Sequence, residues 1–154
     1  MIIYKNFINL TKEEKKEIFY IRNSSYVSKF MKTKNITYKN HLVFLKKLQQ
    51  ASNTQYFLLT QNKEKLGAIY FINITQTSCE FGLYGIKKGV GKILMQEIKN
   101  YAFSVLKVQT LNACVFKENI KALNLYLKHG FEVIKEDNNF YFVNLNNPHR
   151  DIIF

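Results

Sequence analysis

A glycine-rich junction between a predicted strand and a predicted helix constrains this chain more than any other feature. Residues 83–94 contain three glycines and three lysines. The first backbone N–H groups of a helix have no partner within the helix, and the helix dipole makes that end partly positive. Gly89 and Gly91 leave room for a phosphate to approach the backbone. The junction indicates either an anion site or an ordinary turn, because its spacing matches neither a nucleoside-triphosphate loop nor a full dinucleotide fingerprint.

The apolar pattern on both sides of this junction predicts alternating strands and helices. Strands are predicted at 2–8, 56–60, 66–73, 79–84, 110–116, 131–135 and 140–145, and helices at 12–22, 38–48, 90–105 and from Asn119 to His129. A loop with Tyr26, Phe30 and Met31 joins the first two helices, and the last nine residues form a tail. A full helix separates the strands 79–84 and 110–116, so these two run parallel. We therefore predict one α/β domain over residues 1–154 with a mixed sheet.

Composition narrows the class of protein. A chain of 154 residues with 47% hydrophobic residues can bury the core of one domain. A formal charge of +12 suits a polyanionic partner, but the lysines are scattered and do not form a face interleaved with aromatic residues. Without a leader-like or membrane-spanning apolar run, we expect a cytoplasmic protein with no membrane or nucleic-acid partner. Cys79 and Cys114 lack metal-type spacing and a neighbouring histidine, so we expect reduced thiols and no metal.

Three groups of residues resemble motifs of the GNAT family of N-acetyltransferases. The segment Gly89-Val90-Gly91 resembles the family's pyrophosphate loop, and residues 115–122 resemble its second cofactor motif. Residues 125–131 resemble its Y-x-x-x-G-F signature, although Ile86 replaces the Arg or Gln that usually precedes the loop. The resemblance implies the GNAT fold, a twisted, mixed but mostly antiparallel sheet of about seven strands with about four helices. It also implies acetyl-CoA as co-substrate.

Site residues follow from these motifs. Spacing places Asn119, Ala122 and Tyr126 on one face of one helix. The resemblance implies that Tyr126 protonates the departing thiolate; the alternative is a half-buried aromatic residue. It also implies that acetyl-CoA is held by Asn119, Ala122 and the segment Gly89, Val90, Gly91 and Lys92. In the same way it implies that backbone N–H groups near Leu83, Tyr84 and Gly85 polarise the thioester carbonyl. Glu80 is the candidate base through a water molecule, or a member of a structural ion pair.

Within the family, further segments resemble the sugar-nucleotide acetyltransferases of pseudaminic acid biosynthesis, a pathway of flagellin glycosylation. These segments are Arg22-Asn23, 30–34, 41–48, 71–75 and 78–84. The implied acceptor is a UDP-amino sugar, UDP-4-amino-4,6-dideoxy-N-acetyl-β-L-altrosamine, acetylated on its 4-amino group. We expect Arg22 to clamp its phosphates and His41 to donate a hydrogen bond to them; otherwise they are a helix C-terminal cation and a half-exposed helix residue. Asn73, Thr75 and Tyr84 are candidate sugar contacts.

Two other functions are compatible with parts of the pattern. A protein N-terminal or ribosomal-protein acetyltransferase would share the cofactor motifs, but it needs an acidic peptide groove, which the basic helical pair at 12–48 argues against. A non-catalytic basic module would need clustered cations, which the sequence lacks. The sequence leaves the oligomeric state undecided, with a homodimer as one option.

Overall fold

A seven-stranded mixed sheet forms the centre of the protein. The computed structural model describes residues 1–29, 31 and 35–148, and for residues 25 and 26 it describes the backbone only. The strands are β1 (Ile2–Asn6), β2 (Gln55–Gln61), β3 (Glu64–Ile72), β4 (Ser78–Gly85), β5 (Thr110–Phe116), β6 (Glu132–Glu136) and β7 (Phe140–Asn146), in the order β1-β2-β3-β4-β5-β7-β6. The β4–β5 pair is parallel, as predicted, and the other pairs are antiparallel.

Five α-helices accompany the sheet in the described ranges: α1 (Lys12–Asn23), α2 (Ser25–Ser28), α3 (Tyr38–Leu48), α4 (Gly91–Asn100) and α5 (Ile120–Lys128). Three of them begin directly after a residue whose side chain caps the first turn. Thr11 accepts a hydrogen bond from the Glu14 N–H, Thr37 from the Asn40 N–H, and Asn119 from the Ala122 N–H. Each cap satisfies one N–H group that the first helical turn leaves without a partner.

Three local predictions need correction. The predicted loop after α1 contains the helical turn α2 around Tyr26, while Phe30 and the positions 32–34 lie outside the described residues. The β2–β3 turn is only Asn62-Lys63, and both residues adopt the left-handed φ values of a tight hairpin. Phe131 precedes β6 and lies in the core. Of the predicted tail, residues 149–154 lie outside the described part.

The helix after the glycine junction changes geometry at its end. It is α-helical to Asn100 and then continues as a π-helical turn, Tyr101–Val105, closed by a 3.0 Å bond from the Leu106 N–H to the Tyr101 carbonyl. A π turn holds more residues than an α turn, so apolar residues spaced for an α-helix no longer lie on one face. In a regular α-helix Val105 would continue the apolar stripe of Ile98 and Ala102. After the wider turn its side chain is exposed.

The two faces of the sheet bury different helices. One face packs against α4 and α5 in an apolar cluster that includes Phe71, Leu94 and Ile98. The opposite face packs against α1 and α3 in a second cluster that includes Ile18 and Leu45. Strand side chains alternate between the two clusters, as period-two geometry requires. We call them the α4 face and the α1 face.

Candidate active site

The sheet splits between its two parallel strands. The β4–β5 register covers only three positions, from Ser78 opposite Thr110 to Glu80 opposite Asn112. Beyond that point β4 stays paired with β3 as far as Gly85, and β5 stays paired with β7 as far as Phe116. Residues 81–85 and 113–116 thus diverge and leave a wedge-shaped gap. The strand edges that line this gap offer backbone N–H and C=O groups to a ligand.

The N-terminus of α4 follows the open end of this gap. Val90 occupies the N-cap position and makes no side-chain capping bond, and no acid lies in the first turn. The N–H groups of Gly91, Lys92 and Ile93 are therefore available to an anion. Gly89 adopts φ +85°, a left-handed conformation that favours glycine, and a Cβ there would meet nothing within 4 Å. The structure gives the predicted loop the geometry of an anion site.

Gly91 and Lys87 also have structural roles that the sequence did not reveal. A Cβ on Gly91 would lie 3.3 Å from a methyl group of Leu125, so this glycine lets α4 pack closely on α5. Lys87, predicted as a charge donor in the loop, forms a 2.6 Å ion pair with Glu64. Lys88 and Lys92 are exposed. The positive charge closest to the α4 N-terminus in sequence therefore comes from Lys88 and Lys92.

Tyr126 lies against the split. Its ring packs edge-on against Phe81, the first residue of β4 beyond the last paired position, at 5.3 Å between centroids. Only 7% of Tyr126 is exposed, yet its hydroxyl has no hydrogen-bond partner among the described residues. Since the described part contains no fully buried side-chain oxygen without a partner, this hydroxyl must reach accessible space. A ligand group in the gap can supply the missing acceptor.

The electrostatic setting of Tyr126 suits a hydrogen-bond donor. Burial, with smaller contributions from Tyr70 and Cys114, raises the pKa of Tyr126 well above the ordinary value of 10.0. The phenol is therefore protonated throughout the neutral pH range. Asn119 and Ala122 occupy the first turn of the same helix, at the cap and at the residue whose N–H the cap binds. Ala122 and Tyr126 are four residues apart in α5 and so share a helix face, whereas Asn119 is the N-cap, with its side chain engaged in capping.

The α1 face of β4 carries the other candidate residues. Cys79, Phe81 and Leu83 belong to the α4-face cluster, so Glu80, Gly82 and Tyr84 point to the α1 face. Glu80 occupies the last paired position, at the vertex of the split, and is half-buried. Among the described residues Glu80 takes part in no ion pair. Its alternative role as a structural ion pair is therefore not observed.

A pair of stacked tyrosines adjoins β4 on the α1 face. The rings of Tyr56 and Tyr70 are nearly parallel, with centroids 4.6 Å apart. The Tyr70 ring covers Gly82, since a Cβ there would lie 2.0 Å from it. Burial raises the pKa of Tyr56 and Tyr70. The sequence analysis missed both residues, although the cross-strand register of β2 and β3 would have paired them.

Arg22 and His41 differ in their surroundings. Arg22 lies in the last turn of α1, and its positive charge opposes the effect of burial on the pKa values of Tyr70 and Tyr84. It therefore lies near these two tyrosines, on the α1 face of the sheet. His41 is only 2% exposed, so the prediction of a half-exposed residue was wrong.

The environment of His41 fixes its chemistry. Its Nε2 lies 3.0 Å from the Lys15 carbonyl oxygen, which makes this nitrogen the donor to that oxygen. Burial, and then the positive charges of Arg22 and Lys15, lower the pKa of His41. A buried, neutral imidazole whose N–H is already engaged has no hydrogen left for a phosphate. The geometry supports a link between α1 and α3 instead of the predicted phosphate contact.

Asn73 and Thr75 lie in the turn before β4, away from the open end of the split. Both are exposed, and Asn73 adopts φ +50°. The Thr75 hydroxyl accepts hydrogen bonds from the N–H groups of Thr77 and Ser78, so it serves the turn itself. Tyr84 lies six positions after Ser78 in the extended strand β4, so the two residues are roughly 20 Å apart along the strand. The structure therefore does not bring Asn73 or Thr75 together with Tyr84.

Both cysteines are free thiols, as predicted. Burial, and then the charge of Glu80, raise the pKa of Cys79 to about 12, which leaves it without thiolate character at neutral pH. Within residues 1–29, 31 and 35–148, no group of three or more His, Cys, Asp or Glu side chains could hold a metal ion. In the same ranges, no helix has the length and apolar character needed to span a membrane.

Comparisons with known proteins agree with this geometry. The model of the acetyltransferase (GNAT) family matches residues 16–131. The chain is 52% identical over 151 residues to the acetyltransferase PseH of Campylobacter jejuni, covering 97% of this chain and 96% of that protein. A crystal structure of C. jejuni PseH in complex with acetyl coenzyme A superposes with a TM-score of 0.83 at 47% identity, covering 95% of this chain and 99% of that one.

A more distant structure shows the same fold. The spermidine N-acetyltransferase of Vibrio cholerae, solved with CoA and spermine, has a TM-score of 0.83 at 16% identity, covering 95% of each chain. At this identity the likeness concerns the fold alone. The predicted fold, the predicted acetyltransferase class and the predicted resemblance to PseH are confirmed. The chain belongs to the acetyltransferase (GNAT) family.

Proposed function

We propose that the protein transfers the acetyl group of acetyl-CoA to the 4-amino group of UDP-4-amino-4,6-dideoxy-N-acetyl-β-L-altrosamine, in pseudaminic acid biosynthesis. The observation that carries this proposal is 52% identity to PseH over nearly the whole of both chains. The net charge of +12 supports it, because both substrates carry pyrophosphate, whereas a polyamine or a peptide N-terminus is cationic. Oligomeric state, cellular location and the one-domain organisation of residues 1–154 stay predictions.

The split and the α4 N-terminus support the acetyl-CoA part of the proposal. The uncapped N–H groups of Gly91 and Lys92 would bind the pyrophosphate, with the left-handed Gly89 shaping the turn and Val90 at the cap position. The thioester arm would lie in the gap between β4 and β5, beside Ala122 and Asn119. This arrangement would bring the thioester sulfur to Tyr126, whose hydroxyl has no partner among the described residues.

The reaction then needs one carbon–nitrogen bond to form and one carbon–sulfur bond to break. The neutral amine attacks the thioester carbonyl, whose oxygen accepts hydrogen bonds from the exposed backbone edge near Leu83, Tyr84 and Gly85. The proton of the amine leaves to Glu80 through a water molecule, since Glu80 lies at the vertex of the split. Tyr126 donates a hydrogen bond to the departing thiolate and assists its protonation. The raised pKa of Tyr126 keeps the required proton on the phenol.

The acceptor would approach from the α1 face, because the α4 face is filled by α4 and α5. Arg22 would bind its diphosphate, and the phenol side of Tyr84 would border the sugar. Asn73 and Thr75 would reach it only from the turn before β4, at the Glu80 end of that strand and not at the Tyr84 end.

A direct assay can test the proposal. The purified protein is incubated with acetyl-CoA and, separately, with the 4-amino UDP-sugar, a 2-amino UDP-sugar, spermidine and a peptide with a free N-terminus, and products are identified by mass. We expect the highest kcat/KM with the 4-amino UDP-sugar. Preference for the peptide or spermidine, or no acetylation of any UDP-amino sugar, would overturn the proposal.

A further inference from the structure

A row of polar side chains crosses the sheet at the vertex of the split. Glu80 in β4 is the register partner of Asn112 in β5, and Asn112 is the register partner of Asn144 in β7. Asn144 is in turn opposite Glu132 in β6. Register partners in neighbouring strands share a face of the sheet, so these four side chains point to the α1 face. We call Glu80, Asn112 and Asn144 the polar row.

This part of the α1 face lacks a helical cover in the described ranges. The helices α1 and α3 pack on β2 and β3, through residues such as Leu58 and Ala68. The α1-face residues of β5 and β7 next to the polar row belong to neither apolar cluster; they are Cys114, Phe116, Phe140 and Phe142. The three phenylalanines instead pack on one another, with Phe116 and Phe140 only 4.4 Å apart. The polar row is therefore bordered by an aromatic surface.

The side chains of the polar row are available to a ligand. All three are half-buried, and none makes a hydrogen bond to another described residue, while no fully buried polar atom lacks a partner. Their polar atoms therefore face accessible space. The next asparagine on the same face of β7, Asn146, behaves differently because its Oδ1 accepts a hydrogen bond from Thr110 at 3.3 Å. Half-buried amides without a protein partner are already partly desolvated, which strengthens the bonds they make to a ligand.

We propose that Asn112 and Asn144 bind the sugar ring of the acceptor, an inference that rests on the proposed function. Glu80 lies at the vertex, where the amine must meet the thioester, so the rest of the sugar lies beside it on the α1 face. Three adjacent strands give the polar row a span of roughly 10 Å, which suits a substituted pyranose. Each amide offers both a donor and an acceptor to hydroxyl and acetamido groups. Phe142, in the next register step on β7, provides an apolar surface for the ring.

The test compares three asparagine variants of the full chain. Asn112→Ala and Asn144→Ala each remove hydrogen bonds to the sugar, and we expect each to raise KM for the UDP-amino sugar about threefold to tenfold. KM for acetyl-CoA is expected to stay within twofold of the wild-type value. Asn146→Ala is the matched control, since it lies on the same strand and face but one register step farther from the split. It should leave both constants unchanged.

Each outcome decides a separate question. If the wild-type protein acetylates no UDP-amino sugar, the proposed function fails, and this inference fails with it. If the wild-type protein is active but Asn112→Ala and Asn144→Ala keep the sugar KM within twofold, only the polar-row inference is overturned. An equal rise with Asn146→Ala would also overturn it. Should an alanine variant unfold, Asn112→Val and Asn144→Val repeat the test, because valine favours strands and cannot replace the hydrogen bonds.

Discussion

Removing the Tyr126 hydroxyl should separate catalysis from stability. The Tyr126→Phe change keeps the ring, which packs against Phe81 and Phe131 with centroids 5.3 and 5.9 Å away. The hydroxyl has no hydrogen-bond partner among the described residues, so the folded protein loses no internal bond there. We expect the free energy of unfolding to change by less than about 1 kcal/mol.

The effect on turnover should be large. In the proposed mechanism, the hydroxyl acts on a charge that develops only in the transition state, on the sulfur of the departing thiolate. Removing one such donor typically costs about 3 to 4 kcal/mol, which corresponds to a fall in kcat of about 10²- to 10³-fold. KM for both substrates should stay within about threefold, because the ground-state thioester accepts little from this hydroxyl. The raised pKa of Tyr126 also means that the phenol does not titrate between pH 6 and pH 9.

Tyr4→Phe is the matched control. The Tyr4 hydroxyl donates a 2.9 Å hydrogen bond to Glu97 Oε1, and it lies outside the split. Loss of a bond to a charged acceptor should lower the free energy of unfolding by about 1.5 to 3 kcal/mol, without a change in kcat. Steady-state kinetics and urea denaturation of the two variants thus give opposite patterns. A Tyr126→Phe enzyme with more than a third of wild-type kcat would refute the assignment.

Three further changes test other parts of the site. Gly89→Ala places a Cβ at φ +85°, so we expect a strain cost of about 1 to 2 kcal/mol in thermal unfolding and weaker acetyl-CoA binding by calorimetry. Arg22→Ala should raise KM for the UDP-amino sugar about tenfold or more and leave KM for acetyl-CoA unchanged; Lys12→Ala, at the other end of α1, controls for lost charge. His41 has a lowered pKa in the folded state, so its contribution to stability is complete above pH 6.5 and is lost as pH falls through the folded-state pKa. His41→Gln, which can keep the bond to the Lys15 carbonyl, should lose less stability than the wild type between pH 7.5 and pH 5 in urea titrations.

Local chemistry explains which elements could be predicted. The caps Thr11, Thr37 and Asn119 can be predicted from sequence, because a capping side chain binds a backbone N–H within the next three residues. The alternation in β4 likewise assigns Glu80 to one face from sequence alone. The π turn after α4 could not be predicted in this way. The apolar residues there are spaced for a helix of 3.6 residues per turn, and this spacing gives no sign of a wider turn.

Long-range packing explains the rest. His41 is a polar residue within a helix, yet the fold turns it toward the Lys15 carbonyl, 26 positions away. Lys87 lies just before the glycine loop but pairs with Glu64 at the start of β3. Both contacts depend on how separate elements meet, so no pattern within one element reveals them. At both positions the structure gives a polar side chain a distant partner that the sequence pattern does not show.

Under the proposed function, the split also explains why the acceptor and acetyl-CoA would occupy different places on the sheet, the acceptor on the α1 face and acetyl-CoA in the gap between β4 and β5. A continuous β4–β5 ladder would satisfy its own backbone groups and leave no edge to polarise a thioester carbonyl. Because pairing stops at Glu80 and Asn112, an extended co-substrate can replace the missing strand contacts and reach through the sheet. The α4 face is closed by helices, so the amine can reach the carbonyl only from the α1 face. Under the proposed function, Glu80 at the vertex therefore marks the point where the acceptor would present its amine, and contacts to the sugar ring would lie within reach of that residue.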